Sequence, residues 1–250
     1  GLATCGKIVF ASSFAMFAAA RAFEQVRNSI CYPNLNVKVC ATHAGVSVGE
    51  DGATHQALED VGIMRTLPNM TVVSPCDAVE TRAAIKAAID TYGPFYVRLG
   101  RLAVDVINDE ENYKFELGKG VTLKEGSDVT LFATGLMVGE ALKAYEMLKE
   151  EGISARVVNI HTIKPIDKDI IIKAAKETGA LVSCEEHNVI GGLGSAVAEV
   201  LCENCPAPLI RIGTQDVFGK SGVPKFLLED YHLTAKDICD AAKKSIALKK

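Results

Sequence analysis

No excess of positive charge marks this chain of 250 residues: 27 Lys and Arg stand against 31 Asp and Glu, a formal net charge of −4. That balance leaves no electrostatic footprint for a nucleic acid. No apolar run is long enough to cross a bilayer. The nearest approach, Ile8 to Ala20 (IVFASSFAMFAAA), follows Lys7 and carries an A-x-A at Ala18 and Ala20, which superficially resembles a secretory leader. Ser12 and Ser13 interrupt it, however, and it continues into the amphipathic RAFEQVRNSI, so it reads as strand, turn and helix start. There is no second C-x-x-C to complete a zinc site with Cys202 and Cys205. The other six cysteines are scattered, several in strand-like apolar runs, as suits reduced, buried thiols better than a disulfide framework. No internal repeat or low-complexity segment occurs. These absences point to a soluble, cytoplasmic protein with neither membrane nor nucleic acid as partner.

What is present is a regular alternation. With 48% hydrophobic residues, the chain has ample material for one large or two modest cores. KIVFAS, LNVKVCAT, MTVVS and FYVRLG read as strands, separated by helical periodicity over residues 14–28 and 77–91. After a charged, glycine-bearing stretch the pattern resumes. DVTLFATG, ISARVVNI, ALVSCEEH and PLIRIG read as strands, with helices over 136–151, 167–178, 193–203 and 234–248. Strands nearly continuous in apolar residues, alternating with helices, predict α/β architecture: two three-layer domains, each a parallel sheet covered on both faces. We place the first domain at residues 1–104, a linker at 105–126, and the second domain at 127–250.

The stretch THAGVSVGEDGATHQ, from Thr42 to Gln56, has no aliphatic face of its own. It gathers two histidines, two carboxylates and a glutamine, with Gly45, Gly49 and Gly52 permitting close backbone approach. Loops that follow buried strands commonly carry binding and catalytic groups. His43 is expected at a strand end. His55 opens the segment ALEDVGIMRTLP, where Thr54 is placed to cap a helix, so its ring is expected near a helix N-terminus. Two other glycine runs carry less. Gly213 to Ser221 imitates a phosphate-binding P-loop with five residues where the motif needs four. Gly191-Gly192-Leu193-Gly194 opens a helix, and close strand-to-helix packing explains it.

GEDGATHQ, followed by LPNMTVVSPCD, resembles in order and spacing the pyrimidine-binding domain of transketolases. There a GEDG-x-THQ loop and an LPN turn occur together. NIHTIKPID and EEHNVIGGLGSAV are similar to the C-terminal domain shared by transketolases, deoxyxylulose-phosphate synthases and 2-oxo-acid dehydrogenase beta subunits, where it mainly supports dimerisation. The resemblance covers essentially the whole chain. It implies a transferase of the pentose phosphate pathway, moving a two-carbon ketol unit between sugar phosphates with thiamine diphosphate and Mg2+. No GDG motif occurs, so the magnesium and diphosphate site is expected on an amino-terminal transketolase subunit or domain, with this chain forming a homodimer beside it.

Residue by residue, SSFAMF resembles the family's S-T-F-x-x-F stretch, which places Phe14 and Phe17 against the aminopyrimidine ring. The tyrosine that often follows is Ala20 here. His43 and His55 match the two histidines of the loop: His55 toward the donor's hydroxyl and carbonyl oxygens as a proton relay, His43 further out toward the sugar. Asp51 matches the aspartate that reads the sugar C2 hydroxyl, and Arg101 the arginine that grips the phosphate. Arg98 receives no role. The family's activating glutamate, in a G-x-x-E-Q-N segment, would fall before Lys7, where only GLATCG stands. The expectation is therefore a fragment whose encoded protein extends upstream, inactive alone. A deoxyxylulose-phosphate synthase-like enzyme and a non-catalytic subunit of the same fold stand as alternatives.

Overall fold

Runs of Val, Ile and Ala without polar alternation build strands buried on both faces, and the chain holds two sets of them. The computed structural model describes residues 1–249. After a short turn at Ala3–Cys5, β1 (Val9–Phe14) leads into wide helical turns, Met16–Arg21 and Val26–Cys31, on either side of α1 (Phe23–Gln25). Then come β2 (Val37–Thr42), a 3₁₀ segment at Val46–Asp51, α2 (Asp60–Arg65), β3 (Thr71–Val73), α3 (Ala78–Asp90) and β4 (Phe95–Arg98). The second half comprises β5 (Val121–Lys124), β6 (Val129–Ala133), α4 (Met137–Glu150), β7 (Ala155–Asn159), β8 (Thr162–Lys164), α5 (Lys168–Thr178) and β9 (Leu181–Asn188). It closes with α6 (Leu193–Asn204), β10 (Leu209–Thr214), α7 (Pro224–Asp230) and α8 (Ala235–Ala247).

Two five-stranded sheets result, in the orders β1-β2-β4-β3-β8 and β10-β9-β6-β7-β5. Both are parallel except at one edge, where β8 runs against β3 and β5 against β7. Central strands are sealed: every residue of β4, β6 and β7 is buried. The helices start where the sequence supplies caps. Asp77 accepts from Glu80 N, Asp167 from Asp169 N and Ile170 N, and Thr234 forms a capping box with Asp237.

Three features depart from the sequence reading. Residues 14–28 do not form one α-helix: Phe14 closes β1, and the turns beyond it widen, Ala22 N bonding Phe17 O and Tyr32 N bonding Arg27 O. The widening lets Val26 and Cys31, five positions apart, both face the core. Residues 105–126, expected as a linker, include β5, an edge strand of the second sheet. Finally, β8 belongs by sequence to the second half yet completes the first sheet, and Lys164 at its end donates Nζ to Arg65 O and Leu67 O.

Candidate active site

Register brings the first two predicted residues together. β1 and β2 are parallel neighbours with Phe14 opposite Thr42, so Phe14 lies next to His43, whose φ of 57° turns the chain out of the sheet. The two rings stack with centroids 3.9 Å apart and planes 8° from parallel. Phe17, one turn on, stacks beyond Phe14 at 6.2 Å. His55 meets both phenylalanines edge-on, at 6.1 Å and 5.2 Å. All four side chains are half-buried. Nδ1 of His43 lies 3.0 Å from Thr42 Oγ1, and Nδ1 of His55 lies 3.0 Å from Thr54 Oγ1. Among the described residues nothing bonds the Nε2 atom of either ring.

Asp51 and Arg101 stand apart from this cluster. Asp51 is exposed at the end of the 3₁₀ segment, which is kinked at Gly49 with φ 85°. Arg101 donates Nη1 to Val48 O at 2.8 Å and to Glu50 Oε2 at 3.0 Å, its side chain 40% exposed. His55 is not at a helix N-terminus. His55 N and Gln56 N both donate to Gly52 O, closing a tight turn, and α2 starts only at Asp60. Thr54 spends its hydroxyl on the His55 ring instead of on a helix cap.

The loop is held by residues to which the sequence reading gave no supporting role. Gln56, 2% exposed, donates to Val46 O and Gly49 O within the loop and to Lys220 O beyond α6 and β10. Ser221 Oγ donates to Glu50 O. Beneath, Glu186 Oε1 accepts from Ser47 N. Arg98, left without a role by the sequence, is buried against Asp60, with Nε 2.8 Å from Oδ2, and also donates to Glu186 O and Ala57 O. Tyr96 Oη donates to the same carboxylate at 2.6 Å. Burial alone would raise the Asp60 carboxyl, but the Arg98 guanidinium and these hydrogen bonds hold it below the usual carboxylate range. No spacing rule links residues so far apart, although an arginine with no assigned role in the apolar strand FYVRLG was the available signal.

The remaining motifs have local explanations. The amides of Leu193 and Gly194 that open α6 donate to Glu185, so the protein's own carboxylate fills that helix end. Lys220, in the P-loop look-alike, pairs with Asp230. Every cysteine is free. Among the described residues no group of three His, Cys, Asp or Glu side chains converges to hold a metal ion. No helix there is long and apolar enough to cross a membrane. A cavity of about 530 Å³ lies between the carboxyl ends of β3 and β4 and the start of α4, lined by Ser74, Arg82 and Gly135 among others. None of the six predicted residues lines it.

Known proteins share this sequence and fold. Residues 1–106 match the transketolase pyrimidine-binding domain, and residues 118–238 match the transketolase C-terminal domain. A 6-deoxy-6-sulfo-D-fructose transketolase subunit of a Clostridium species is 49% identical over 97% of this chain and 75% of its own length. A subunit of an apulose-4-phosphate transketolase from Phocaeicola vulgatus is 43% identical over 97% of this chain and 77% of its own. A solved split-gene transketolase, described as an inactive beta4 tetramer, superposes with a TM-score of 0.94 at 54% identity, covering all of this chain and 80% of that one.

Proposed function

This chain belongs to the transketolase family, and from that premise we propose that it supplies the pyrimidine half of a shared thiamine diphosphate site for moving a two-carbon ketol unit between phosphorylated sugars. The observation that carries the reading is the convergence of Phe14, Phe17, His43 and His55 into one ring cluster beside the GEDG loop. We take residues 1–104, with β8 completing their sheet, as the pyrimidine-binding domain, and residues 127–250 with the edge strand β5 as the C-terminal domain. The side chains fit one end of the cofactor: two near-parallel, half-buried phenylalanines offer an apolar wall to a heteroaromatic ring. The diphosphate and Mg2+ we assign to an amino-terminal partner subunit. Subunit names among the relatives and the split gene of the structural neighbour support that division. We further propose a homodimer of this chain within the complex.

When bound, thiamine diphosphate supplies the nucleophilic carbon for cleavage beside the ketose carbonyl. The chain's own residues act on the sugar. His55, its Nδ1 tied to Thr54, presents Nε2 as the group that takes and returns the proton of the donor's hydroxyl. His43, clamped flat on Phe14, orients the sugar from further out. Asp51 reads a sugar hydroxyl. Arg101 carries the phosphate, exchanging its exposed bond to Glu50 for the stronger dianion. The test is ketol transfer from xylulose 5-phosphate to ribose 5-phosphate by the native complex with thiamine diphosphate and Mg2+. Turnover that disappears when the partner is removed is expected. An intact, cofactor-loaded complex that turns over neither this pair nor another ketose phosphate overturns the reading.

A further inference from the structure

The carboxylate of Glu186 originates in the second domain and ends inside the first. At the end of β9 three consecutive residues take different tasks. Glu185 caps α6, and His187 Nε2 accepts from Gly62 N in α2 at 3.2 Å. Glu186 points the other way, as strand alternation requires, and enters under the loop that follows His43. Oε1 accepts from Ser47 N at 2.5 Å. The 3₁₀ segment Val46–Asp51 has no side-chain cap of its own, so its early amides would be orphaned in the interior. Glu186 is the cap, brought from 139 residues away.

The fit is tight. Gly45 has a φ of 88°, and a Cβ built there would lie 2.2 Å from Glu186 Cδ. Arg98 fixes the strand beneath by donating Nη2 to Glu186 O at 2.8 Å. Glu186 is 4% exposed, and burial raises its carboxyl above the usual range while Arg98 and the Ser47 amide pull it down. It lies against the backbone of Gly45–Val48, which separates the His43 ring from the corner formed by Glu50, Asp51 and Arg101.

We propose that Glu186 is a positioning residue for the candidate active site, setting through the Gly45–Val48 backbone the spacing between His43 and the Glu50–Asp51–Arg101 corner. Its catalytic consequence rests on the function proposed above; its structural content does not. The experiment therefore has two readouts, amide hydrogen exchange in the chain and ketol transfer in the complex, for Glu186→Ala and Glu186→Gln. Gln keeps an acceptor for Ser47 N and the side-chain volume, whereas Ala keeps neither. Ala should speed exchange at Ser47 and its neighbours about ten- to hundredfold, the range of a lost bond to a charged acceptor, and Gln should stay within about threefold of wild type. In the complex, Ala should lower kcat about a hundredfold by misplacing the loop, with a smaller change in KM, and Gln should recover most of it.

Should Ala fail to fold, Glu186→Asp withdraws the carboxylate by one methylene and is expected to shift both readouts in the same direction. Unchanged exchange in Ala and Asp overturns the proposal, and so does a Gln variant as impaired as Ala, since that would make the charge, not the acceptor, the requirement. A wild-type complex without ketol transfer refutes the proposed function alone, and exchange then decides the role of Glu186.

Discussion

Replacing Asp60 by Asn strikes a buried ion pair of the first domain. The carboxylate is 1% exposed and receives three side-chain donors at hydrogen-bonding distance, Tyr96 Oη at 2.6 Å and Arg98 Nε and Nη2 at 2.8 and 3.3 Å. The amide keeps one acceptor and turns an NH2 group toward a guanidinium that is itself 7% exposed. Arg98 would then be a buried cation without a carboxylate partner on that side, held by the carbonyls of Ala57 and Glu186 and at most one amide oxygen. Breaking one half of such a pair costs about 3–5 kcal/mol, which for a chain of this size is a fall in Tm of roughly 6–20 °C. Urea and thermal unfolding of the single variant measure it. Asp60→Leu with Arg98→Met removes both charges and should recover most of the loss. The sign with pH also follows. The folded carboxyl lies below its unfolded value, so the wild-type contribution is present above about pH 4 and vanishes as pH falls through the folded value, whereas the Asn variant is flat there. A loss below about 1 kcal/mol, or a double variant as damaged as the two singles summed, would refute this account of the network.

His55→Ala should lower kcat of the complex by about 10²–10⁴, the usual worth of a positioned proton carrier, with little change in Tm because the ring is half-buried; equal losses in folding and rate would deny it that role. Arg101→Ala should raise KM for a ketose phosphate about ten- to hundredfold while leaving the unphosphorylated sugar unaffected, which steady-state kinetics on both substrates resolve. Lys38 is fully buried, its Nζ bonded to the carbonyls of Thr91 and Gly93, and burial lowers it to about 8. Because the folded value lies below the unfolded one, wild-type stability should rise relative to Lys38→Met by about 1–3 kcal/mol between pH 8 and 10.5. Parallel stability curves across that interval would contradict it.

The strands were readable because a parallel sheet covered on both faces writes an uninterrupted apolar word, as in VKVCAT and FYVRLG. The ring cluster was readable only through family resemblance: nothing in the spacing of Phe14 and His43 announces that β1 and β2 will set them face to face. Thr54 misled because a hydroxyl before an apolar segment usually caps a helix, while here Gly52 O captures two amides first and postpones α2 to Asp60. β8 was illegible because three residues carry no period. The loop's supports, Glu186 and Ser221, lie 139 and 171 residues from the groups they bind, and such pairings are decided by packing after the local structure is chosen.

The placement of β8 has a consequence for the order in which the protein is made. A ribosome delivers the ring cluster and its loop early, yet β3 remains an open, unpaired edge until residues 162–164 emerge, after β5, α4 and β7 have been synthesised. Through that interval the nascent first sheet has exposed backbone donors and acceptors along this edge. Closure of that edge and delivery of Glu186 then follow within some two dozen residues of each other, so the loop gains its support only as the sheet beneath it is sealed.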